Sequence, residues 1–552
     1  MKFRIHQRFT FSLLALLLSV SLVLLLSDML SLYVTGDLAA WLHRYRFAFP
    51  TIFTRQTNPY HYHPLSLALV GLPLSIVGFK PFWIHLNLLV IHLLNALLVF
   101  RIAVLLLQKT SHALCATILF SASMFVPETI IANPPASAST LTLLICFLLF
   151  RRYGITRAKT LYVGSCLAFA VSLFTYPTAM NFVVVLFFYL VCDPEGIFRA
   201  ETTQTFSGRV RGIALLLIPF ALLAAAFLIV RAEFGCALSR NSPNLLRADV
   251  LAKFLERTLT AFDMVLTPSQ FIRAIIPAIL VPTRAWYLAW SSVFMTAVLA
   301  AALIKSSPRD RFLVGWLAAN IVLVAFETDV RCCHLYFPSI AASLLLTAAL
   351  YKVSRWILDL VPGGKSPFKN SGLFSKTGVA TLMTVSVLVI PIKNNLVNIN
   401  YFMGAFMRAS DIARASVEYI NSVENAPKPG QKTLLINMPA VLLRKGSISA
   451  FVLPHGSLLY LSDLERDENL RARNYAVGIC KGLFSVERSS SPDFTGAQYE
   501  LDRKAPAYSV SELRQSVAQS DSVFIFDYTT FRPVLLTLDM LPLHASRAIT
   551  PL

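Results

Sequence analysis

The chain has 552 residues, of which 56% are hydrophobic and only 14% charged, too apolar for a water-soluble globule, where about a quarter of residues are charged. Its formal net charge of +20 would suit nucleic acid in a soluble protein. Here Lys and Arg cluster in short stretches between apolar runs, which is a topology signal, so membrane lipids and no nucleic acid are expected as surroundings.

The first apolar run, 10–27, follows Lys2, Arg4 and Arg8 and leads into Asp28 and Met29 instead of a small-residue cleavage site. It is expected to remain as a signal anchor. A helix crosses the hydrocarbon with about 20 residues, and about 17 is a practical minimum. On that scale about eleven spans are predicted, at 10–27, 82–100, 113–130, 136–150, 161–176, 178–191, 212–230, 286–304, 312–326, 335–350 and 378–392.

Charge supplies an independent test of this topology. With the N-terminus inside, the inner loops contain Lys109; Arg151, Arg152, Arg157 and Lys159; Arg199, Arg209 and Arg211; Lys305, Arg309 and Arg311; and Lys352, Arg355, Lys365, Lys369 and Lys376. Two apolar runs break the alternation if they span. The run 64–78 carries Pro64 and Pro73, and 271–281 carries Arg273 and Pro277, so both are predicted to lie along the outer interface. The outer loops are then 28–81 and 232–285, with short tips at Glu128 and Tyr176 and a turn from Glu327 to Arg331.

Beyond residue 392 charged residues return among short apolar runs at 433–438, 448–453 and 522–527, preceded by a helical stretch at 410–422 with Ser410 or Asp411 as N-cap. The division expected is a transmembrane domain at 1–394 and a small outer α/β domain at 395–552. Cys115, Cys146, Cys166 and Cys192 lie in or beside apolar runs as small hydrophobes. Adjacent Cys332 and Cys333 read as two thiols, since neighbours bridge only with a strained backbone.

Ionisable groups at a membrane are expensive and mark function. Asp28, Asp37, Glu128, Glu327, Asp329 and Arg331 gather at the outer ends of spans far apart in sequence. A carboxylate there can act as general base on an acceptor hydroxyl, and Arg can hold a departing phosphate. His61 and His63 flank Tyr62; two ligands are too few for a closed metal site, so no metal is assigned, and an interfacial anchor is the simpler role. His85, His92 and Asn95 share one face of the second span and are expected to hydrogen-bond neighbouring helices. Pro134 and Pro135 are expected to break the helix at the outer surface. Glycine motifs for nucleotides are absent.

Three segments carry a resemblance: NPYHYHPLSL at 58–67 with GFKPF at 78–82 and HLNLLVIHLLNAL at 85–97; Pro127 with Glu128; and RCCHLYFPS at 331–339. In this order they resemble polytopic GT-C fold glycosyltransferases, the polyprenyl-phosphate-sugar-dependent protein O-mannosyltransferases and their bacterial relatives, over the chain to about residue 350. The resemblance implies transmembrane helices with interfacial helices in the first outer loop, a polyprenyl-phosphate sugar donor, and inversion at the anomeric carbon. It matches Asp28 to the base after the first span, Glu128 to the second outer carboxylate, and Arg331 with His334 to the region meeting the carrier phosphate; His63 joins these as a phosphate-binding candidate. The family often has two adjacent acidic residues after the first span, whereas Met29 follows Asp28. Asp28 alone, then Asp37 on a displaced loop, then lost activity is the order of expectation.

The expected function is an inverting membrane glycosyltransferase acting on the outer face of a bacterial inner membrane. Its N-terminus would be cytoplasmic and its C-terminal domain periplasmic. Its acceptor would be a protein, glycan or lipid, and no cofactor beyond the lipid-linked donor is called for, with dependence on a divalent metal left open. The rivals are a transporter or flippase, whose polar residues would sit near the midplane, and a noncatalytic scaffold of the same descent.

Overall fold

A computed structural model of the chain describes residues 26–32, 62–197, 206–234, 248–266, 306–325, 332–360, 376–422, 433–437, 439–444, 449–451, 475–478, 497–501, 507–519, 522–527 and 532–537, with single positions between 20 and 53 and between 293 and 300. Most of the expected spans 10–27 and 286–304, and all of 271–281, lie outside these residues.

Helix α1 (Pro64–Val77) opens on Pro64, whose missing N–H falls where a helix has no internal partner for it. Its 14 residues reach about 21 Å, short of the roughly 30 Å of hydrocarbon. It packs on α2 (Pro81–Leu107), α4 (Pro134–Thr156) and α5 (Lys159–Thr175), in keeping with a segment that does not span. Helix α3 (Thr110–Ser121) follows α2 after a tight turn. Gln108 and Arg157 end α2 and α4 in the left-handed region, at φ of 59° and 58°, and each N–H closes onto the carbonyl four residues back. This cap reverses the chain within two residues, so α2/α3 and α4/α5 are antiparallel hairpins.

Helices α6 (Phe182–Cys192), α7 (Phe206–Glu233), α8 (Ala248–Leu266), α9 (Pro308–Ala325), α10 (Cys332–Leu360) and α11 (Lys376–Asn421) complete the bundle. Five described helices, α2, α4, α7, α10 and α11, contain stretches long and apolar enough to cross a bilayer. Large apolar side chains face outward along them and their neighbours, with Leu222 and Ile229 both 64% exposed. That surface is stable against lipid and not against water, and the chain is a multi-pass membrane protein. Helix α8 lies in the stretch expected as an outer loop. Its residues Ala261, Met264, Val265 and Leu266 bury against the bundle while Lys253 and Glu256 stay exposed, an amphipathic helix that apolar run length alone does not reveal.

Helices α6 and α9 approach closely at Gly315, where an added Cβ would stand 2.5 Å from the Phe188 ring. Gly315→Ala is expected to cost about 1–3 kcal/mol through overpacking, seen as a lower thermal unfolding midpoint in detergent. Gly404→Ala in α11 meets nothing within 4 Å and should raise the midpoint slightly, since Ala favours helix over Gly.

The loops expected to be cytoplasmic meet at one end of the bundle. The Arg151 Nε donates to both carboxylate oxygens of Glu195 at 2.8 Å, and the Tyr189 hydroxyl donates to the same group at 3.0 Å. Lys352 pairs with buried Asp310 at 2.7 Å, Lys109 donates to the Tyr351 hydroxyl, and Arg309 reaches the Pro194 carbonyl at 3.2 Å. In the bundle interior the His92 ring nitrogen lies 2.6 Å from the Tyr336 hydroxyl, and the Asn95 amide donates to the Ser137 carbonyl at 2.9 Å. The polar stripe of α2 thus joins α10 and α4, as its spacing predicted.

Helix α11 has 46 residues, about 69 Å, more than twice the hydrocarbon thickness. It crosses the expected boundary between 394 and 395 without a break, and Ser410, expected as an N-cap, is buried inside it. A buried polar residue within a continuing amphipathic helix mimics a start signal in sequence. The C-terminal part holds one sheet in the order β4-β1-β6-β7, from β4 (Tyr475–Gly478), β1 (Thr433–Ile436), β6 (Ser522–Asp527) and β7 (Arg532–Leu535), and a second in the order β3-β2-β5, from β3 (Ser449–Phe451), β2 (Pro439–Arg444) and β5 (Ala497–Leu501). Strands β4, β1 and β6 are parallel and β7 is antiparallel.

The first sheet is covered on both faces, as parallel strands require. Leu434, Ile436, Val523 and Ile525 pack with Leu513 of α12 (Val510–Ala518), while Leu435 and Phe524, pointing the other way, join the core of the membrane part. Tyr419 of α11 meets the Phe524 ring edge-on at 6.4 Å and its hydroxyl accepts the Leu535 N–H at 3.4 Å. The last helix of the membrane part is therefore also a layer of the α/β part. Helix α12 begins with a capping box in which Ser509 and Glu512 satisfy each other's backbone N–H, and these bonds hold the Glu512 carboxyl below the usual range.

Candidate functional site

The span expected at 113–130 is not one helix. Helix α3 stops at Ser121, and after two tight turns Pro127 leads into a π-helical turn, Glu128–Ala132, closed by the Asn133 N–H on the Glu128 carbonyl at 3.1 Å. The wide turn is fixed from both sides. Pro127 has no N–H for the preceding turn, and Pro134 and Pro135 occupy the first positions of α4, where they start a helix instead of breaking one. Single π turns occur frequently at functional sites. Glu128 is only 7% exposed, and its turn packs on α2, α4, the start of α10 and strand β3.

Asp28 lies in a 3-10 turn, Ser27–Ser31, whose Met29 inserts into the core while Asp28 stays exposed. The Ser31 hydroxyl donates to the Asp28 carbonyl at 2.8 Å, and the Arg414 guanidinium of α11 donates to the Ser31 carbonyl at 2.7 Å. This turn also packs on α2. Two carboxylate-bearing turns from separate connecting segments thus share one helix, at the end where α11 carries the C-terminal sheets, and opposite the Arg151–Glu195 and Lys352–Asp310 pairs.

The start of α10 joins the Glu128 turn. The Asn133 amide lies 3.2 Å from the Cys333 sulfur and the Tyr176 hydroxyl 3.8 Å from it. Next to Cys333, His334 is part-exposed in a narrow cleft bounded by α4, the 3-10 turn Pro177–Asn181, α9 and α10. Its ring centroid is 6.3 Å from that of Tyr176. Pro338, one turn on, has no N–H to offer the His334 carbonyl, so the proline shapes the cleft wall.

His63 is elsewhere. It is the buried N-cap residue of α1, its Nδ1 2.9 Å from the Ser66 hydroxyl, and it does not line the cleft of His334. Tyr62 is likewise buried, stacked on Phe234 at 4.4 Å, with its hydroxyl donating to the Phe53 carbonyl. Packing against protein replaces the interfacial anchoring expected of this pair, because α7 ends beside it. Asp37, His61, Glu327, Asp329 and Arg331 lie outside the described residues. Among the described residues no three His, Cys, Asp or Glu side chains gather as a metal would need. Asn133, Tyr176 and Arg414 were not singled out from sequence; only the tip at Tyr176 gave a signal, and Arg414 gave none.

No protein-family model matches the chain, and no curated protein matches it in sequence. Among solved structures, apo ArnT from Cupriavidus metallidurans is similar in fold with a TM-score of 0.50 at 13% identity, over 96% of this chain and 94% of that one. ArnT from the same organism bound to undecaprenyl phosphate matches with a TM-score of 0.43 at 12% identity, over 85% of each chain. The archaeal oligosaccharyltransferase AglB from Archaeoglobus fulgidus, in complex with an inhibitory peptide and a dolichol-phosphate, matches with a TM-score of 0.42 at 12% identity, over 78% of this chain and 62% of that one.

Proposed function

We propose that this membrane protein, which has the GT-C fold, is an inverting glycosyltransferase that moves a sugar from a polyprenyl phosphate to a hydroxyl acceptor. The observation that carries the reading is the packing of the Asp28 and Glu128 turns on one helix, with the helix that carries His334 packed on the Glu128 turn. ArnT, whose fold the chain shares over nearly its whole length, has a structure with undecaprenyl phosphate bound, which supports a donor of that type.

In the proposed reaction the exposed Asp28 carboxylate accepts the acceptor's hydroxyl proton as its oxygen attacks the anomeric carbon. The bond from that carbon to the carrier phosphate breaks on the opposite face, and the phosphate departs with the electron pair. Arg331 and His334 offset the charge that grows on the leaving phosphate. Glu128, buried in its π turn, supplies the second carboxylate of the proposed site. The acceptor is a protein, glycan or lipid. The site would face the periplasm from the inner membrane, with the N-terminus in the cytoplasm and the 395–552 region above the site.

Incubation of the purified protein with labelled polyprenyl-phosphate sugars and mixed acceptors should release free carrier phosphate together with a product of inverted configuration. Release with retained configuration would reject the single displacement, and absence of release from every donor would reject the transferase.

A further inference from the structure

At the basic end of the bundle two cations share one neutral partner. Lys109, in the turn between α2 and α3, donates to the Tyr351 hydroxyl of α10 at 2.5 Å, and its ammonium is 4.1 Å from the ring centroid. The Arg355 guanidinium, one turn further along α10, donates to the same hydroxyl. His112 of α3 adds a third basic side chain, its ring 4.3 Å from that of Tyr351 and its Nε2 3.5 Å from the Thr381 hydroxyl of α11. The ion pairs at this end, Arg151 with Glu195 and Lys352 with Asp310, use other residues. Among the described residues no carboxylate, Asp359 of α10 included, forms an ion pair with Lys109 or Arg355. The sequence joining α10 to α11, 361–375, adds Lys365 and Lys369 and no acidic residue.

Two cations drawn to one hydroxyl repel each other, and an anion held between them turns that cost into attraction. The Tyr351 hydroxyl accepts from both and keeps its own hydrogen to donate. An ammonium, a guanidinium and a phenol hydrogen together match the oxygens of a phosphate group. The surroundings select its source. Trp356, next to Arg355, is 62% exposed, and Leu360 and Leu382 on α10 and α11 are exposed as well. Tryptophan concentrates where membrane meets water, and basic pockets between transmembrane helices bind anionic lipid head groups. A free phosphate gains nothing from an apolar flank, whereas acyl chains do.

We propose that Lys109, Tyr351 and Arg355 form a binding site for the phosphate of an acidic phospholipid of the surrounding membrane. The bound head group ties the turn between α2 and α3 to α10. This site is independent of the transferase reading and lies at the other end of the bundle from the Asp28 and Glu128 turns.

The test titrates the full-length protein in detergent with phosphatidylglycerol, phosphatidylcholine or inorganic phosphate. Binding is read as a rise in the thermal midpoint and as lipid retained in native mass spectrometry. Phosphatidylglycerol should bind and stabilise, and the zwitterionic lipid should not. Lys109→Gln and Arg355→Gln should each weaken that binding about fivefold, the worth of one Lys or Arg near an anionic surface. Arg152→Gln, which removes an exposed arginine of α4 at the same end, should leave it unchanged. Arg355 is exposed, so Arg355→Gln keeps the fold and decides the matter if Lys109→Gln lowers the midpoint without lipid. Equal weakening by Arg152→Gln would reduce the site to diffuse surface charge and overturn it. Equal binding of phosphatidylcholine would overturn the acidic head group, and equal stabilisation by inorganic phosphate would overturn the lipid source.

Discussion

Asp28→Asn is expected to reduce glycosyl transfer by about 10²- to 10⁴-fold, the usual worth of a general base, with little change in stability. The two effects separate because Asp28 is exposed. What holds its turn in place is buried Met29 and the Arg414 guanidinium on the Ser31 carbonyl, and Asn preserves both. Asp37→Asn assayed in parallel decides between the acidic residues: full activity in the Asp28 variant and loss in the Asp37 variant would move the base to the loop. Glu128→Gln should lower kcat/KM as well, and Glu128→Ala should also lower the unfolding midpoint, since its turn is packed among three helices and a strand. Arg414→Ala should lower kcat with less effect on KM, because it frees a turn that carries the base and touches no donor.

Phe524→Ala is expected to cost about 3–5 kcal/mol, the range for a fully buried phenylalanine, and to loosen the C-terminal sheets from the membrane part. Phe524 is fully buried between β6 and Tyr419, so the deletion opens a cavity at the joint. Ile525→Ala, on the opposite face of the same strand, should destabilise the sheet against α12 instead. Limited proteolysis tells them apart: Phe524→Ala should release an otherwise resistant C-terminal fragment, whereas Ile525→Ala should yield a fragment that is itself degraded. A chain truncated after residue 394 would end inside α11 and remove the layer on which Leu435 and Phe524 pack. By the same logic a chain beginning at 395 keeps that layer and one beginning at 433 does not, so only the longer fragment should stay monomeric.

The fold class, the alternating direction of the helices, the basic end of the bundle and the interfacial length of α1 were all legible in the amino-acid sequence. Each depends on local properties: how many apolar residues run together, where proline stands, and which turns collect Lys and Arg. The polar stripe of His92 and Asn95 was legible for the same reason, since helical periodicity sets which side chains share a face. Strand β6 coincides with the apolar run at 522–527, because a strand buried on both faces reads as an unbroken apolar stretch.

What only the tertiary structure decided concerns groups distant in the chain. No local rule distinguishes a π turn after Pro127 from the end of a longer helix, and the difference lies in how α2, α4 and α10 pack around Glu128. Amphipathic α8 escaped a count of apolar run length, because only one of its faces is buried. The unbroken passage of α11 through residues 394 and 395 reflects the sheet that packs on it, a partner that begins beyond residue 432 in the chain. The carboxylates at Asp28 and Glu128 were visible as expensive residues at the ends of spans. Their common seat on α2, and the cleft beside His334, arise from packing between segments that sequence spacing cannot bring together.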